Sequence, residues 1–230
     1  MMEVQATACD IRDRALAGAG AELIERAAGA LPCLLRVRER FAAGRPLLGL
    51  RIAACLPVTP ETANLVLTLS AAGADVALCG ASPSSIDDAV AAALVEVHDV
   101  RTYAIEGEDA GTHRVHVAAA LAHRPDLTMD AGAGLVAMLH RNGGRAVDRV
   151  VGGTEAAAAG AARLEAMARA GTLRYPIIAV EGAAADASLA AQALGAAHLA
   201  RHGGRMRPAV HGLPAEIDRD LGRLSSEEGT

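Results

Sequence analysis

The chain has 230 residues and a net charge of −5, and 52% of its residues are apolar. Its length allows one α/β domain or two small ones. Only three residues are aromatic, Phe41, Tyr103 and Tyr175, so the core must be built from Ala, Leu, Val and Ile. The acidic charge and the lack of aromatic rings argue against a nucleic-acid partner, which needs a basic stripe or stacking platforms.

Neither a membrane span nor a signal peptide is expected. The chain has no uncharged apolar run of about 18 residues. Its start reaches Glu3 and Asp10 without a basic segment followed by an apolar one. The four cysteines have no CxxC spacing, which favours free thiols in a reducing compartment. We therefore expect a cytoplasmic protein without a membrane partner.

The apolar pattern predicts a regular alternation of helices and strands after a helical N-terminal segment. That first segment covers 15–42, and Pro32 is expected to divide it into two helices. The predicted strands are 49–56, 74–79, 101–105, 127–130, 149–151 and 177–180. The predicted helices are 60–72, 87–95, 112–122, 135–141, 155–170 and 188–202.

This alternation predicts the α/β class, with a single Rossmann-like parallel sheet and helices on both faces. We expect one domain over 1–224 and a flexible polar tail over 225–230. Ligands of such sheets bind outside the carboxyl ends of the strands. The segments expected to meet there, around one crevice, are 57–61, 79–85, 130–134, 152–155 and 181–184.

Several short blocks, spread over residues 10–224, are informative when taken together. They include Asp10-Ile11-Arg12-Asp13, Arg38-Glu39-Arg40-Phe41, Gly49-Leu50-Arg51-Ile52-Ala53-Ala54-Cys55-Leu56, Glu61-Thr62-Ala63-Asn64-Leu65, Gly107-Glu108-Asp109 and Gly152-Gly153-Thr154-Glu155. In order and spacing they resemble the substrate-binding part of the adenosylhomocysteinase (S-adenosylhomocysteine hydrolase) family.

The resemblance also implies that a whole domain is missing. After Val180 the family has an NAD-binding domain. This chain continues instead into a segment similar to the family's C-terminal part, ending in Val210-His211-Gly212-Leu213-Pro214-Ala215-Glu216-Ile217-Asp218. The implied deletion falls near 181–184, and the implied protein is a truncated homologue that binds no NAD.

The catalytic positions that the resemblance identifies are largely replaced. Pro57 stands where the family has a His, Ala131 where it has the second Asp of a loop, and 156–159 are all Ala where it has Glu and Thr. Removing a proton from a sugar carbon requires a base and an oxidant that creates the adjacent ketone. We therefore expect no adenosylhomocysteine hydrolysis.

Thr59 and Glu61 match the family positions that read adenine, so the resemblance implies that they bind a ligand, with Glu61 also a candidate catalytic residue. A carboxylate can accept from the exocyclic amine of adenine, and Thr can pair with a ring nitrogen. The alternative is that Thr59 only caps a helix and Glu61 is only an acid in its first turn. Both interpretations stay open at this point.

Four other residues are candidate catalytic groups. Cys55 ends a predicted strand and is either a nucleophile or a small apolar core residue. Asp130 is either a base or a support for its loop. Glu155 is either a general acid or base with a raised pKa or a helix N-terminal acid. His211 is expected to face the crevice.

Two further patterns are weaker. Residues 132–137 fit the loose dinucleotide-binding fingerprint, but no acid follows about 20 residues later. The pairs His113/His116 and His198/His202 each lie on one helix face, yet neither has an evident third ligand. We expect no metal site.

Three hypotheses for function remain. The first is an NAD-independent, repurposed enzyme of specialised metabolism that acts on an S-adenosyl compound such as S-adenosylmethionine, or on another small molecule. Its reaction would be an elimination, isomerisation or cyclisation driven by acid–base groups and positioning. The second is a non-catalytic protein that binds S-adenosyl compounds or adenosine. The third is an accessory subunit. A homodimer through the apolar helix face at 189–199 is compatible with each.

Overall fold

The computed structural model describes residues 9–180 and 185–226. Within these residues the chain forms eight strands and ten α-helices. The strands are β1 (Asp10–Ile11), β2 (Arg51–Leu56), β3 (Asp75–Gly80), β4 (Arg101–Ala104), β5 (Leu127–Asp130), β6 (Gly152–Glu155), β7 (Ile177–Ala179) and β8 (Val210–His211). The helices are α1 (Ala17–Ala28), α2 (Pro32–Gly44), α3 (Pro60–Ala71), α4 (Asp88–Glu96), α5 (Ala110–Ala122), α6 (Gly134–Asn142), α7 (Arg145–Asp148), α8 (Ala158–Arg169), α9 (Ala185–His202) and α10 (Ala215–Ser226).

All eight strands join one sheet in the order β1-β4-β3-β2-β5-β6-β7-β8, and every pair is parallel. From β2 the chain builds outward to β4, and from β5 it builds outward in the opposite direction. The strand order therefore reverses between β2 and β5, where doubly wound sheets bind their ligands. The predicted α/β fold with a single Rossmann-like sheet is confirmed.

Successive residues of each strand are buried on opposite faces of the sheet. Ile52 and Leu78 belong to the larger core, which α1–α4, α9 and α10 cover. Ala53 and Cys79 belong to the opposite face, under α5 and α6. With both faces covered by helices, the strands read as continuous apolar runs, as expected for a buried parallel sheet.

Most predicted elements lie within about three residues of the observed ones, and Pro32 begins α2 as predicted. One strand was misplaced: β6 is 152–155 rather than 149–151, and the helix expected from 155 begins at Ala158. The cause is that β6 opens with two glycines, which have low strand propensity. Close packing requires them, because a Cβ on Gly153 would lie 2.2 Å from Thr128 Oγ1.

Four of these strands and α-helices were not predicted: the two-residue edge strands β1 and β8, the short helix α7 and the amphipathic helix α10. Leu224 is buried near the end of α10, and the helix extends to Ser226, into the segment expected to be a flexible tail. None of the helices in 9–180 and 185–226 combines the length and the apolar composition needed to cross a lipid bilayer.

The predicted deletion point at 181–184 lies outside the described residues. Directly after it, Asp186 in the first turn of α9 accepts hydrogen bonds from the backbone N–H groups of Cys33 and Leu34, at 2.8 and 2.9 Å. Its carboxylate thus pairs two of the free N–H groups at the start of α2. These hydrogen bonds attach the first turn of α9 to the first turn of α2.

Candidate functional site

The carboxyl end of β2 lies at the point where the strand order reverses, and α3 begins directly after it. Thr59 has an extended backbone, and its hydroxyl accepts a hydrogen bond from Thr62 N at 3.3 Å. Pro60 occupies the first turn, where its missing N–H costs nothing. Thr59 is therefore a genuine helix N-cap, which confirms one of its two interpretations without excluding the other.

Glu61 lies in the first turn of α3 and is half-buried. Among the residues that the structure describes, no hydrogen bond or ion pair engages its carboxylate, although most acids near the strand ends are engaged. Glu61 thus offers an available carboxylate at the reversal point of the sheet.

The segment after β3 lies beside the start of α3, where the sequence predicted that the two segments meet. Val58 N donates to Ser85 O at 2.7 Å, and Asp87 N donates to Val58 O at 2.9 Å. Gly80 ends β3 against Ile86, whose Cδ1 would lie 2.5 Å from an added Cβ. These two hydrogen bonds therefore hold the loop that follows β3 next to the segment that carries Thr59 and Glu61.

Asp130 ends β5 and is completely buried. Its Oδ1 accepts from Ala131 N and its Oδ2 accepts from Val136 N, both at 3.0 Å. Burial raises the pKa of Asp130 to about 7, and nearby Glu155 adds to the rise, although the backbone hydrogen bonds oppose it. These contacts are those of the predicted loop support, since one carboxylate oxygen binds the first residue of the loop, Ala131, and the other binds Val136 in the first turn of α6.

Glu155 is opposite Asp130 in the sheet register and is also buried. Its Oε1 accepts from Gly132 N and Ala157 N, each at 2.8 Å, and its Oε2 accepts from Ala133 N at 2.9 Å. Burial raises the pKa of Glu155, as expected. The alternative of a helix N-terminal acid is wrong, because Glu155 ends β6 and α8 begins three residues later.

The backbone N–H groups of the loop at 131–134 are largely used in hydrogen bonds within the protein. Gly132 has φ 121° and Ala133 has φ 59°, so the backbone turns sharply and presents its N–H groups inward. Glu155 accepts from Gly132 N and Ala133 N, and Asp130 accepts from Ala131 N and Val136 N. A phosphate group would need the same donors. The interpretation of 132–137 as a dinucleotide-binding loop is therefore not supported.

Cys55 and Cys79 are neighbours in register on β2 and β3, and both are buried on the face that α5 and α6 cover. Cys55 Sγ donates to Gly80 O at 3.4 Å. Hydrogen bonding with Cys79 and burial raise the pKa of Cys55 well above its usual value. A nucleophilic cysteine needs a stabilised thiolate. The nucleophile interpretation of Cys55 is therefore not supported, and it behaves as a core residue.

His211 lies on the edge strand β8, opposite Ile178. Four strand spacings separate β8 from β2, a distance of about 19 Å. Its Nε2 is 3.0 Å from Arg207 O. The unpredicted β8 therefore places His211 at the far edge of the sheet from Cys55 and Glu61, and the expectation that it faces the crevice stays a prediction.

Three partners of the histidine pairs were missed. Asp10 Oδ2 lies 3.2 Å from His116 Nε2. The buried carboxylate of Glu108 lies 2.9 Å from His113 Nδ1 and 2.6 Å from His116 Nδ1, so it contacts both histidines of this pair. Its position five residues before His113 is a signal that the sequence contains. Glu216 lies beside His198, with Nδ1 and Oε1 2.8 Å apart. No local pattern could reveal it, since β8 separates the two helices.

The chain is thus an α/β protein with a doubly wound parallel sheet, and the carboxylate of Glu61 lies at the reversal point where sheets of this class bind their ligands. The chain matches S-adenosyl-L-homocysteine hydrolase over residues 8–150, and it belongs to that family.

Named relatives extend this match. The chain is 44% identical to the adenosylhomocysteinases of Aquifex aeolicus strain VF5 and Gloeobacter violaceus, over 76% of its own length and 42% and 41% of theirs. It is 43% identical to the S-inosyl-L-homocysteine hydrolase of Methanopyrus kandleri, over 75% of its own length and 41% of that protein. The chain thus spans about two fifths of the length of these relatives.

Proposed function

We propose that this protein binds an S-adenosyl compound or a related adenine nucleoside at the reversal point of the sheet, with Thr59 and Glu61 reading the base. The observation that supports this most is the carboxylate of Glu61, which is half-buried beside a helix N-terminus and has no partner among the described residues. An acid in that position is satisfied by a donor from a ligand, and the exocyclic amine of adenine is such a donor.

Thr59 completes the recognition of the base. Its oxygen accepts from Thr62 N at 3.3 Å, and its hydroxyl proton donates to Thr62 Oγ1 in a long hydrogen bond of 3.4 Å, which a ring nitrogen of adenine would replace. The two residues are the N-cap and a first-turn residue of one helix, so the spacing of their backbones is fixed before the ligand arrives. The conformational entropy lost on binding is then that of the side chains.

We further propose that the protein works without NAD and does not hydrolyse adenosylhomocysteine. Pro57, Ala131 and the alanines at 156–159 replace the groups that the family resemblance assigns to this chemistry. None of these side chains can accept a proton or hold a ribose hydroxyl.

A thermal-shift panel tests the binding proposal, using adenosine, adenosylhomocysteine, S-adenosylmethionine, methylthioadenosine and NAD. A ligand at 100 times its Kd should stabilise the protein by about 2.7 kcal/mol. We expect adenosyl compounds to raise Tm in the wild type, a much smaller rise in Glu61→Gln, and an unchanged response in the exposed control Glu22→Gln. No shift with any adenosyl compound would contradict the proposal.

The second candidate is an NAD-independent enzyme that performs an elimination, isomerisation or cyclisation. It is favoured by the pKa of Asp130, which lies at about 7, the range of an effective general acid or base. Asp130 is buried, so this activity requires its loop to open. Glu61 could not serve as the base while it holds adenine.

Mass spectrometry after incubation with S-adenosylmethionine separates the two candidates. An enzyme yields a new product in the wild type, and Asp130→Asn abolishes turnover while the thermal shift with ligand persists. A wild type that binds the compound and returns it unchanged would leave the binding protein as the function.

A further inference from the structure

The end of α9 and the start of α10 bring together three metal-ligating side chains that the crevice does not use. His198 and His202 are four residues apart on α9, on the same side of the helix. Glu216 lies in the first turn of α10, which packs against α9.

One ligand atom from each of these residues lies within 4.8 Å of the other two. His198 Nδ1 is 2.8 Å from Glu216 Oε1, and the two imidazole rings are 4.6 Å apart between centroids at an angle of 46°. A tetrahedral ion with bonds of about 2.0–2.1 Å places its ligand atoms about 3.4 Å apart. Because His202 and Glu216 are exposed, their side chains can close this difference without moving the backbone.

The cluster opens into a cavity of about 660 Å³ between α2, α9 and α10, which several arginines also line. Their charge is partly balanced there: Asp220 pairs with Arg40 at 3.1 Å and with Arg223 at 3.8 Å. Arg219 Nε donates to the backbone of Ala215. Within the described residues, the one carboxylate that contacts an imidazole of this pair is that of Glu216.

We propose that His198, His202 and Glu216 bind a divalent transition-metal ion, with Zn²⁺ as the preferred ion. Two imidazole nitrogens and one carboxylate oxygen form a ligand set that zinc favours, and three protein ligands leave a fourth position for water. Mg²⁺ and Ca²⁺ prefer oxygen ligands and should not compete. The bound ion would join α10 to α9.

Calorimetric titration of the full chain, without an affinity tag and after removal of metal by a chelator, tests the site. We expect one Zn²⁺ per chain, a rise in Tm with Zn²⁺ and no binding of Mg²⁺. Affinity should fall at least tenfold in His202→Ala and in Glu216→Gln. Both residues are exposed, so these variants should fold.

His98→Gln is the matched control, because it removes one imidazole from the turn after α4 rather than from α9, and its affinity for Zn²⁺ should equal that of the wild type. Circular dichroism and the Tm without metal verify that each variant is folded. The proposal is overturned if the wild type binds no Zn²⁺. It is equally overturned if either His202→Ala or Glu216→Gln binds Zn²⁺ as tightly as the wild type does.

Discussion

Two buried carboxyl groups, Asp130 and Glu155, make the stability of this protein depend on pH. The pKa of Asp130 rises from 3.8 to about 7 on folding, so the folded chain holds a proton that the unfolded chain releases between these values. Its contribution is fully present below about pH 4 and is lost as the pH rises through 7, at about 1.4 kcal/mol for each pKa unit. The raised pKa of Glu155 acts in the same direction.

We therefore expect the urea midpoint of the wild type to fall between pH 5 and pH 8. The fall should be smaller in Asp130→Asn, which removes one of the two titrating groups and leaves Glu155. Urea denaturation at pH 5, 6, 7 and 8 measures both slopes. Equal slopes in the two proteins would show that Asp130 does not titrate in this range.

The position of Glu155 depends on the absence of a side chain at Gly160. A Cβ at that residue would lie 2.3 Å from Glu155 Cδ, so Gly160→Ala must displace the carboxylate from the loop that it supports. We expect a loss of about 1–3 kcal/mol in unfolding free energy. Gly18→Ala is the control, since no atom lies within 4 Å of the added Cβ. It should be neutral or stabilising by up to about 1 kcal/mol.

At the scale of elements, Asp186 connects α9 to α2. Its carboxylate satisfies two N–H groups at the start of α2, so Asp186→Ala should cost about 1–2 kcal/mol. Asp186→Asn keeps one acceptor oxygen and should lose less. Chemical denaturation of both variants measures the difference. An unchanged stability in Asp186→Ala would mean that the cap contributes nothing to the attachment of α9.

Elements with strong local patterns could be predicted from the sequence, and those defined by long-range contacts could not. The apolar run of β2 and the Thr59–Pro60 helix start were evident because their patterns are local. The strand β6 was misplaced because Gly152 and Gly153 have no strand preference, and only the atoms of Leu199 and Thr128 explain them. The roles of Asp130 and Glu155 could not be predicted for the same reason. They depend on hydrogen bonds to the loop after β5, and Glu155 is more than 20 residues away from that loop in the sequence.

For the whole molecule, membership of the S-adenosyl-L-homocysteine hydrolase family and the parallel sheet agree with the sequence-based expectation. Family membership does not decide the ligand, because relatives of similar identity are named for adenosyl and for inosyl compounds. The homodimer, the role as an accessory subunit and the cytoplasmic location stay predictions. The identity of the base is the point on which the proposed function depends.

Adenosine and inosine differ at the group that Glu61 is proposed to read, so their relative affinities give the most direct test. A carboxylate accepts a hydrogen bond from the amine of adenosine and repels the carbonyl oxygen of inosine. By calorimetry we expect the wild type to bind adenosine at least tenfold more tightly than inosine, and Glu61→Gln to lose most of this preference. Equal affinities of the wild type for the two nucleosides would contradict the account.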